Sequence, residues 1–204
     1  MRNSVSFGLL ATVSTLGMAS ASFGQLSYTG ASRFVAVTGF GFFTDSGLDP
    51  FSATLGDPER TFASQSSQFS TSVIAAFGAA ADAERAGMSV CTVDFDLAAA
   101  TGYELSVTLL GEGSIARLVR VFGNDEQVVS ALTGSNQLML STFTTGILEA
   151  GSYQYTVSTE GGPAIDGVLP WHFSTTLIVP APAAAALPVV GLVVLRRRRR
   201  LTKI

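Results

Sequence analysis

Asp94 and Asp96 are a pair whose types and spacing suggest joint chemistry. They stand two apart in Ser89–Leu97 (SVCTVDFDL), so a strand would carry both carboxylates on one face. A carboxylate pair can cleave a glycosidic bond, one member as acid and the other as base or nucleophile. The same spacing also describes a solvated strand face lying opposite Cys91, Val93, Phe95 and Leu97. Trp171 and Tyr155 suggest another task, stacking on a sugar ring, and serve equally well as core filling. Asp45, Asp49, Asp57 and Glu59 lie among turn residues and offer the oxygen ligands that Ca²⁺ prefers, at a spacing that matches no standard calcium loop. Solvated turn carboxylates account for them more simply.

Other catalytic arrangements lack their parts. The chain has one histidine, His172, and one cysteine, Cys91. A nucleophile needs a neighbouring base, and no Gly-x-Ser-x-Gly elbow occurs. His172 reads as a strand residue and Cys91 as a small buried hydrophobe. A single cysteine leaves no internal disulfide. One histidine and one cysteine cannot make a zinc site without several carboxylates, and no Gly-rich phosphate loop is present. The expectation is a protein with no catalytic residues, no metal and no cofactor.

The elements that would position these residues are strands. Gly, Ser, Thr, Val and Phe are plentiful and helical periodicity is scarce, which favours strands and turns. Strands are expected at 32–38, over 61–77 as one or two, and at 88–97, 103–110, 115–122, 127–132, 136–145, 154–159 and 171–179. Residues 44–60 read as a loop, with Asp49-Pro50 and Gly56-Asp57-Pro58 as turn chemistry. Residues 79–86 suit a helical turn or a loop. Gly111-Glu112-Gly113 is expected to close a hairpin between 103–110 and 115–122. Leu148, then Gly151-Ser152-Tyr153 entering a strand, matches the corner in which a tyrosine hydroxyl bonds back to nearby backbone. About nine short strands with turns every eight to twelve residues describe a sandwich or barrel. The expected fold is all-β, a jelly-roll-like β-sandwich flanked by an N-terminal signal helix and a C-terminal transmembrane sorting helix.

Charge separates the body from its two ends. All 15 acidic residues fall between Gln25 and Val179. Only five of the 12 basic residues do, namely Arg33, Arg60, Arg85, Arg117 and Arg120, which leaves the body at −10 against −3 for the whole chain. An acidic body without lysine argues against binding nucleic acid.

The first 24 residues read as a removable signal peptide. Arg2 supplies the positive start, Val5 to Met18 the apolar region, and Ala19-Ser20-Ala21 a small-residue cleavage site. Residues 25–178 form the passenger domain, and 179–204 a sorting tail. From Leu177 to Leu195 there are 19 residues without a charge, close to the roughly 20 that cross a bilayer core. Pro188 interrupts that run, which a membrane helix tolerates better than a soluble one. Arg196, Arg197, Arg198, Arg199 and Arg200 then act as a stop-transfer cluster that stays on the cytoplasmic side. A nucleic-acid or heparin patch and a permanent single-span anchor are the competing readings of this tail.

The order Val179-Pro180-Ala181-Pro182, apolar run 183–195, arginine cluster 196–200, chain end resembles a PEP-CTERM sorting signal. Ala181 stands where that family's motif has Glu. The resemblance implies an exosortase-type processing enzyme as partner, transient or permanent contact with the membrane, and a destination at the cell surface or in an extracellular polysaccharide and biofilm matrix. A softer similarity to the passengers of such proteins extends from Cys91 through the Tyr153 corner to the last strand. The function expected is that of an exported, non-enzymatic surface or matrix protein. The alternative is a carbohydrate-binding module anchored at or released from the envelope, with Trp171 and Tyr155 as possible ligand contacts.

Overall fold

The computed structural model describes residues 26–57, 61–81, 87–135, 138–161 and 171–180. The expected signal peptide with Ala19 and Ala21, the tail residues Ala181 and Pro182, the apolar run 183–195, Arg196 to Arg200 and Glu59 lie outside the described residues. Among the described residues no helix is long and apolar enough to cross a membrane.

Twelve strands follow one another: β1 (Ser27–Val37), β2 (Gly41–Asp45), β3 (Phe51–Asp57), β4 (Thr61–Phe69), β5 (Val73–Ala81), β6 (Gly87–Leu97), β7 (Thr101–Leu110), β8 (Ile115–Phe122), β9 (Asp125–Thr133), β10 (Leu140–Leu148), β11 (Gly151–Glu160) and β12 (Trp171–Ile178). They form two six-stranded sheets. Sheet A has the order β2-β1-β6-β11-β8-β9 and sheet B the order β10-β7-β12-β5-β4-β3. Every pairing is antiparallel. The protein is therefore all-β, two sheets packed face to face.

Period-two alternation places the core. In β6 every odd position from Gly87 to Leu97 is buried and every even one is half-exposed. Cys91, Val93, Phe95 and Leu97 meet Tyr153, Tyr155 and Val157 of β11, and Leu105, Phe173 and Leu177 of sheet B, in one apolar cluster. Each large apolar side chain buried this way contributes about 1.5–3 kcal/mol before conformational entropy is subtracted. The tyrosine corner forms as expected: the Tyr153 hydroxyl donates to the Glu149 carbonyl at 2.7 Å, and its ring stacks on Phe95 with centroids 5.5 Å apart.

Several expectations about elements change; residues 79–81, expected as a helical turn or loop, end strand β5. β7 and β8 are not a hairpin, since β7 pairs with β10 and β12 while β8 pairs with β9 and β11. The turn after β7 carries the chain from sheet B to sheet A. It is held by Ser114, whose N–H donates to Gly111 O at 3.0 Å and whose hydroxyl donates to Leu110 O at 2.6 Å. Residues 51–57, expected as loop, form edge strand β3 against β4. Finally, Val179 is fully buried and its N–H donates to Ser72 O at 2.8 Å. The core thus runs one residue past the expected boundary at 178. Leu26 N–H donates to Thr71 O at 2.9 Å, so the chain enters and leaves the sandwich side by side, beside the β4–β5 turn.

Arg33 sets the β2–β3 margin. It is 1% exposed and points inward from β1. Its guanidinium bonds to the Asp45 carboxylate and donates to Asp49 O at 2.8 Å. It also lies over the Phe69 and Phe51 rings, 4.6 and 5.5 Å from their centroids. The Asp45 carboxylate and the Asp49 backbone carbonyl thus both receive the Arg33 guanidinium; Asp57 sits at the far end of β3, and no metal-holding group of acidic, Cys or His residues occurs among the described residues. Asp45 is 37% exposed. Removing it strands a charge that water cannot reach, whereas removing Arg33 leaves a carboxylate that water can. Asp45→Asn is expected to destabilise the protein by about 3 kcal/mol and Arg33→Met by distinctly less. Urea unfolding of both variants checks this, and equal losses would refute the asymmetry.

Candidate functional site

The outer face of sheet B offers a site that needs no catalytic group. In a strand, side chains that do not enter the core stand on the opposite face, and here that face is small and hydroxyl-bearing. The register aligns Ser52, Ser66, Phe77, Ser174, Thr108 and Ser141 in one row across all six strands. The next row holds Gln68, Ala75, Thr176, Ser106 and Phe143. Thr108 and Ser141 share a hydrogen bond at 3.0 Å. Phe77, on a strand otherwise made of Val, Ile, Ala and Gly, stands 45% exposed and stacks with His172 at 6.4 Å. A shallow cleft of about 400 Å³ runs beside it, lined by Phe51, Ser66, Gln68, Ala75, Ser174 and Thr176 among others.

Phe143 provides a second exposed ring on this face. It lies three strands from Phe77, roughly 14 Å across the sheet at the usual strand spacing. Glu104, near the margin, is the one carboxylate among the described outward residues of sheet B. Such a surface offers flat apolar rings for stacking, and hydroxyl and amide groups that both donate and accept. It suits a neutral ligand that is itself studded with hydroxyls.

The residues singled out in the sequence fall elsewhere. Tyr155 is a core residue, 1% exposed. Its hydroxyl bonds to Thr175, which in turn donates to Ser106 O at 3.1 Å, and burial pushes its phenol well above the usual range. No sugar reaches that ring. Trp171 is half-buried at the start of β12, its indole lying over the backbone of Gly111 and Gly113. Gly111 has φ 97°, and the indole occupies the place where a Cβ would stand. Trp171 and Tyr155 thus do not form one platform. His172 faces outward beside Phe77, as part of the face just described. Val179 belongs to the core, while Pro180 is exposed and its carbonyl accepts from Thr101 at 3.5 Å.

Asp94 and Asp96 do share the outer face of sheet A, as their spacing requires. Asp94 accepts from Gln154 Nε2 at 2.9 Å and lies against Gly30. Asp96 sits between Ser27 and Ser152 on neighbouring strands. Both stand on open sheet surface, and neither lines the cleft. Cys91 is 1% exposed, and burial pushes its thiol up to about 11 against the opposing pull of the Arg33 charge.

Sequence reasoning missed Phe77, Phe143 and the hydroxyl rows. Phe77 was legible as the one large residue at an outward position of β5, but the partners of that position come from five other strands.

No family model matches the chain, and no curated protein matches it. Among solved structures, the chain is similar to the enzymatically active domain of tailspike protein 4 of bacteriophage CBA120, at 6% identity and TM-score 0.31, over 65% of this chain and 19% of that one. It is also similar to TmCBM61 in complex with beta-1,4-galactotriose, at 16% identity and TM-score 0.29, over 63% of this chain and 88% of that one. A third is a GH31 alpha-xylosidase from Xanthomonas citri, at 11% identity and TM-score 0.34, over 77% of this chain and 19% of that one. The chain thus spans about a fifth of the length of the first and third. TM-scores this low carry no function from those proteins to this one.

The thiol gives a direct check of the core placement. A folded Cys91 holds its proton to about pH 11, so at pH 8 it presents at least about a hundredfold less thiolate than an ordinary cysteine. The native protein is expected to react with Ellman's reagent at least that much more slowly than the urea-unfolded chain. The neutral thiol also stabilises the fold below its unfolded value of 9.0, and that contribution is lost as pH rises toward about 11. Rapid labelling of the native protein would contradict this burial.

Proposed function

We propose that this chain is an exported, non-catalytic surface or extracellular-matrix protein that holds neutral polysaccharide on the outer face of sheet B. The observation that carries this reading is the pair of exposed rings, Phe77 and Phe143, set in rows of serine and threonine with almost no charge. A polysaccharide has the complementary chemistry, apolar ring faces bordered by hydroxyls. The strand connectivity supports a jelly-roll sandwich as the carrier. Strands β5 to β12 divide into β5-β12-β7-β10 and β6-β11-β8-β9, the eight-stranded double Greek key of that fold.

Delivery is proposed to follow the address read in the sequence: signal peptide, then an exosortase-type enzyme acting on the tail from Val179 to Ile204 at the membrane. The side-by-side entry and exit of the chain next to the β4–β5 turn fits this reading, because both addresses join the domain at one place.

Affinity electrophoresis in gels containing neutral matrix polysaccharide tests the binding. Phe77→Ala is expected to weaken retardation by about tenfold in apparent Kd, equivalent to about 1.4 kcal/mol, while Trp171→Ala leaves it unchanged. Retardation that is insensitive to Phe77 and Phe143, or absent with every matrix polysaccharide, would sink the proposal. Delivery is tested separately by intact mass. Protein in the medium that lacks both the first 21 to 24 residues and the tail beyond Pro182 is the expected product. A membrane-bound species that keeps Arg196 to Ile204 would mean a plain anchor.

A further inference from the structure

The opposite outer face, that of sheet A, carries a second cleft of different chemistry. One row of the sheet runs Phe42, Ala36, Met88, Glu160 across β2, β1, β6 and β11. Ala36 is the small residue of the row, so a depression opens between Phe42 and Met88. Phe34, two residues along β1, stands beside it with its ring stacked on Phe42, centroids 6.1 Å apart and planes 24° apart. These side chains and the Glu160 carboxylate line one cleft of about 430 Å³.

The rings are held in place by backbone. Gly39 and Gly41 both have positive φ, 85° and 107°, in the turn closed by Phe40 N–H donating to Val37 O at 3.0 Å. A side chain at either position would strain that turn, so β2 leaves it at a set angle with Phe42 on the outer face. Phe42 is 67% exposed. A monomer leaves a ring so open at a cost in solvation, and two neighbouring rings with a carboxylate at their rim have a definite electrostatic preference. The ring faces are negative, and they attract a cation that sits over them. Glu160 adds a full negative charge, no basic side chain pairs with it among the described residues, and the body around it carries −10.

We propose that this cleft binds an ammonium group carried on a sugar ring, that is, the amine-bearing unit of a partly deacetylated polysaccharide. Phe34 and Phe42 take the apolar ring face, and Glu160 accepts from the ammonium. The site goes beyond the neutral polysaccharide assigned to sheet B. It differs in its charge requirement and lies on the other side of the sandwich, so a single domain can hold two chains at once.

Calorimetric titration of the full mature protein with a short β-1,4-linked glucosamine oligomer, and with its N-acetylated counterpart, tests the site. The amine oligomer is expected to bind at least about tenfold more tightly than the acetylated one. Glu160→Gln and Phe42→Ala should each remove most of that difference. Asp96→Asn makes the same charge change elsewhere on the sheet A face and should leave the affinity within about twofold; Phe77→Ala should do likewise, which separates this site from the sheet B face. Both Glu160 and Phe42 are exposed, and unchanged melting temperatures will confirm that their variants fold. Equal affinity for the two oligomers, no binding of the amine oligomer, or equal weakening by Glu160→Gln and Asp96→Asn would overturn the proposal. Loss on Phe77→Ala with no loss on Phe42→Ala would move the binding to sheet B and overturn it too.

Discussion

Arg33 brings a permanent charge into the protein interior, and the β1–β4 third of the sandwich supplies most of its partners. A guanidinium does not give up its proton inside a protein, so it must find an anion, carbonyls or aromatic faces. Asp45 ends β2, Asp49 offers its carbonyl from the following loop, and Phe51 and Phe69 supply ring faces from β3 and β4. Those contacts bring the margin of sheet A onto the margin of sheet B. They also explain why the core is two clusters rather than one. Val35, Val37, Ala63 and Ala80 form a small group apart from the main cluster, and the buried polar residues Arg33, Gln65 and Ser67 come from two of the same strands, β1 and β4, with Ser89 on neighbouring β6.

Beyond that seam the main core is ordinary close packing, and its tightness limits what can change. Gly78 has the Phe173 ring and the Ser89 hydroxyl where a Cβ would be, and Gly111 has the Trp171 indole. At both places two elements approach until only hydrogen fits. On β6, β7, β11 and β12 the inward positions are mostly apolar, and the outer faces are rich in Ser, Thr, Asp, Gln and Glu. Among the rings left open, Phe77 and Phe143 stand on the outer face of sheet B, and half-buried Phe34 with exposed Phe42 on that of sheet A. The second pair has Glu160 beside it, and the same face carries Asp94 and Asp96.

Much of the fold was legible because alternation is a local property. The strands at 88–97, 103–110, 115–122 and 171–179 were found nearly at their observed bounds, and Leu148 with Tyr153 marked its corner correctly. β3 was missed because Gly56-Asp57 and Asp49-Pro50 bracket a short edge strand whose Ser, Ala and Thr carry little pattern of their own. The expected hairpin at 111–113 failed for another reason. Two adjacent strands with an apolar inward face look the same whether they are neighbours in one sheet or face each other across the core.

The candidate site divides in the same way. The sequence by itself determined that this chain is all-β, that its body is acidic, that Cys91, Val93, Phe95 and Leu97 face inward, and that Asp94 and Asp96 face outward together. Each of these follows from residue type and a two-residue period. Tertiary structure alone decided that Tyr155 is buried while Phe77 is not, that Asp45 answers Arg33, and that Ser66, Phe77, Ser174 and Thr108 share one row. Those relations join positions that lie from 11 to about a hundred residues apart in the chain. They depend on which strand lies beside which, and the period of a strand says nothing about its neighbour.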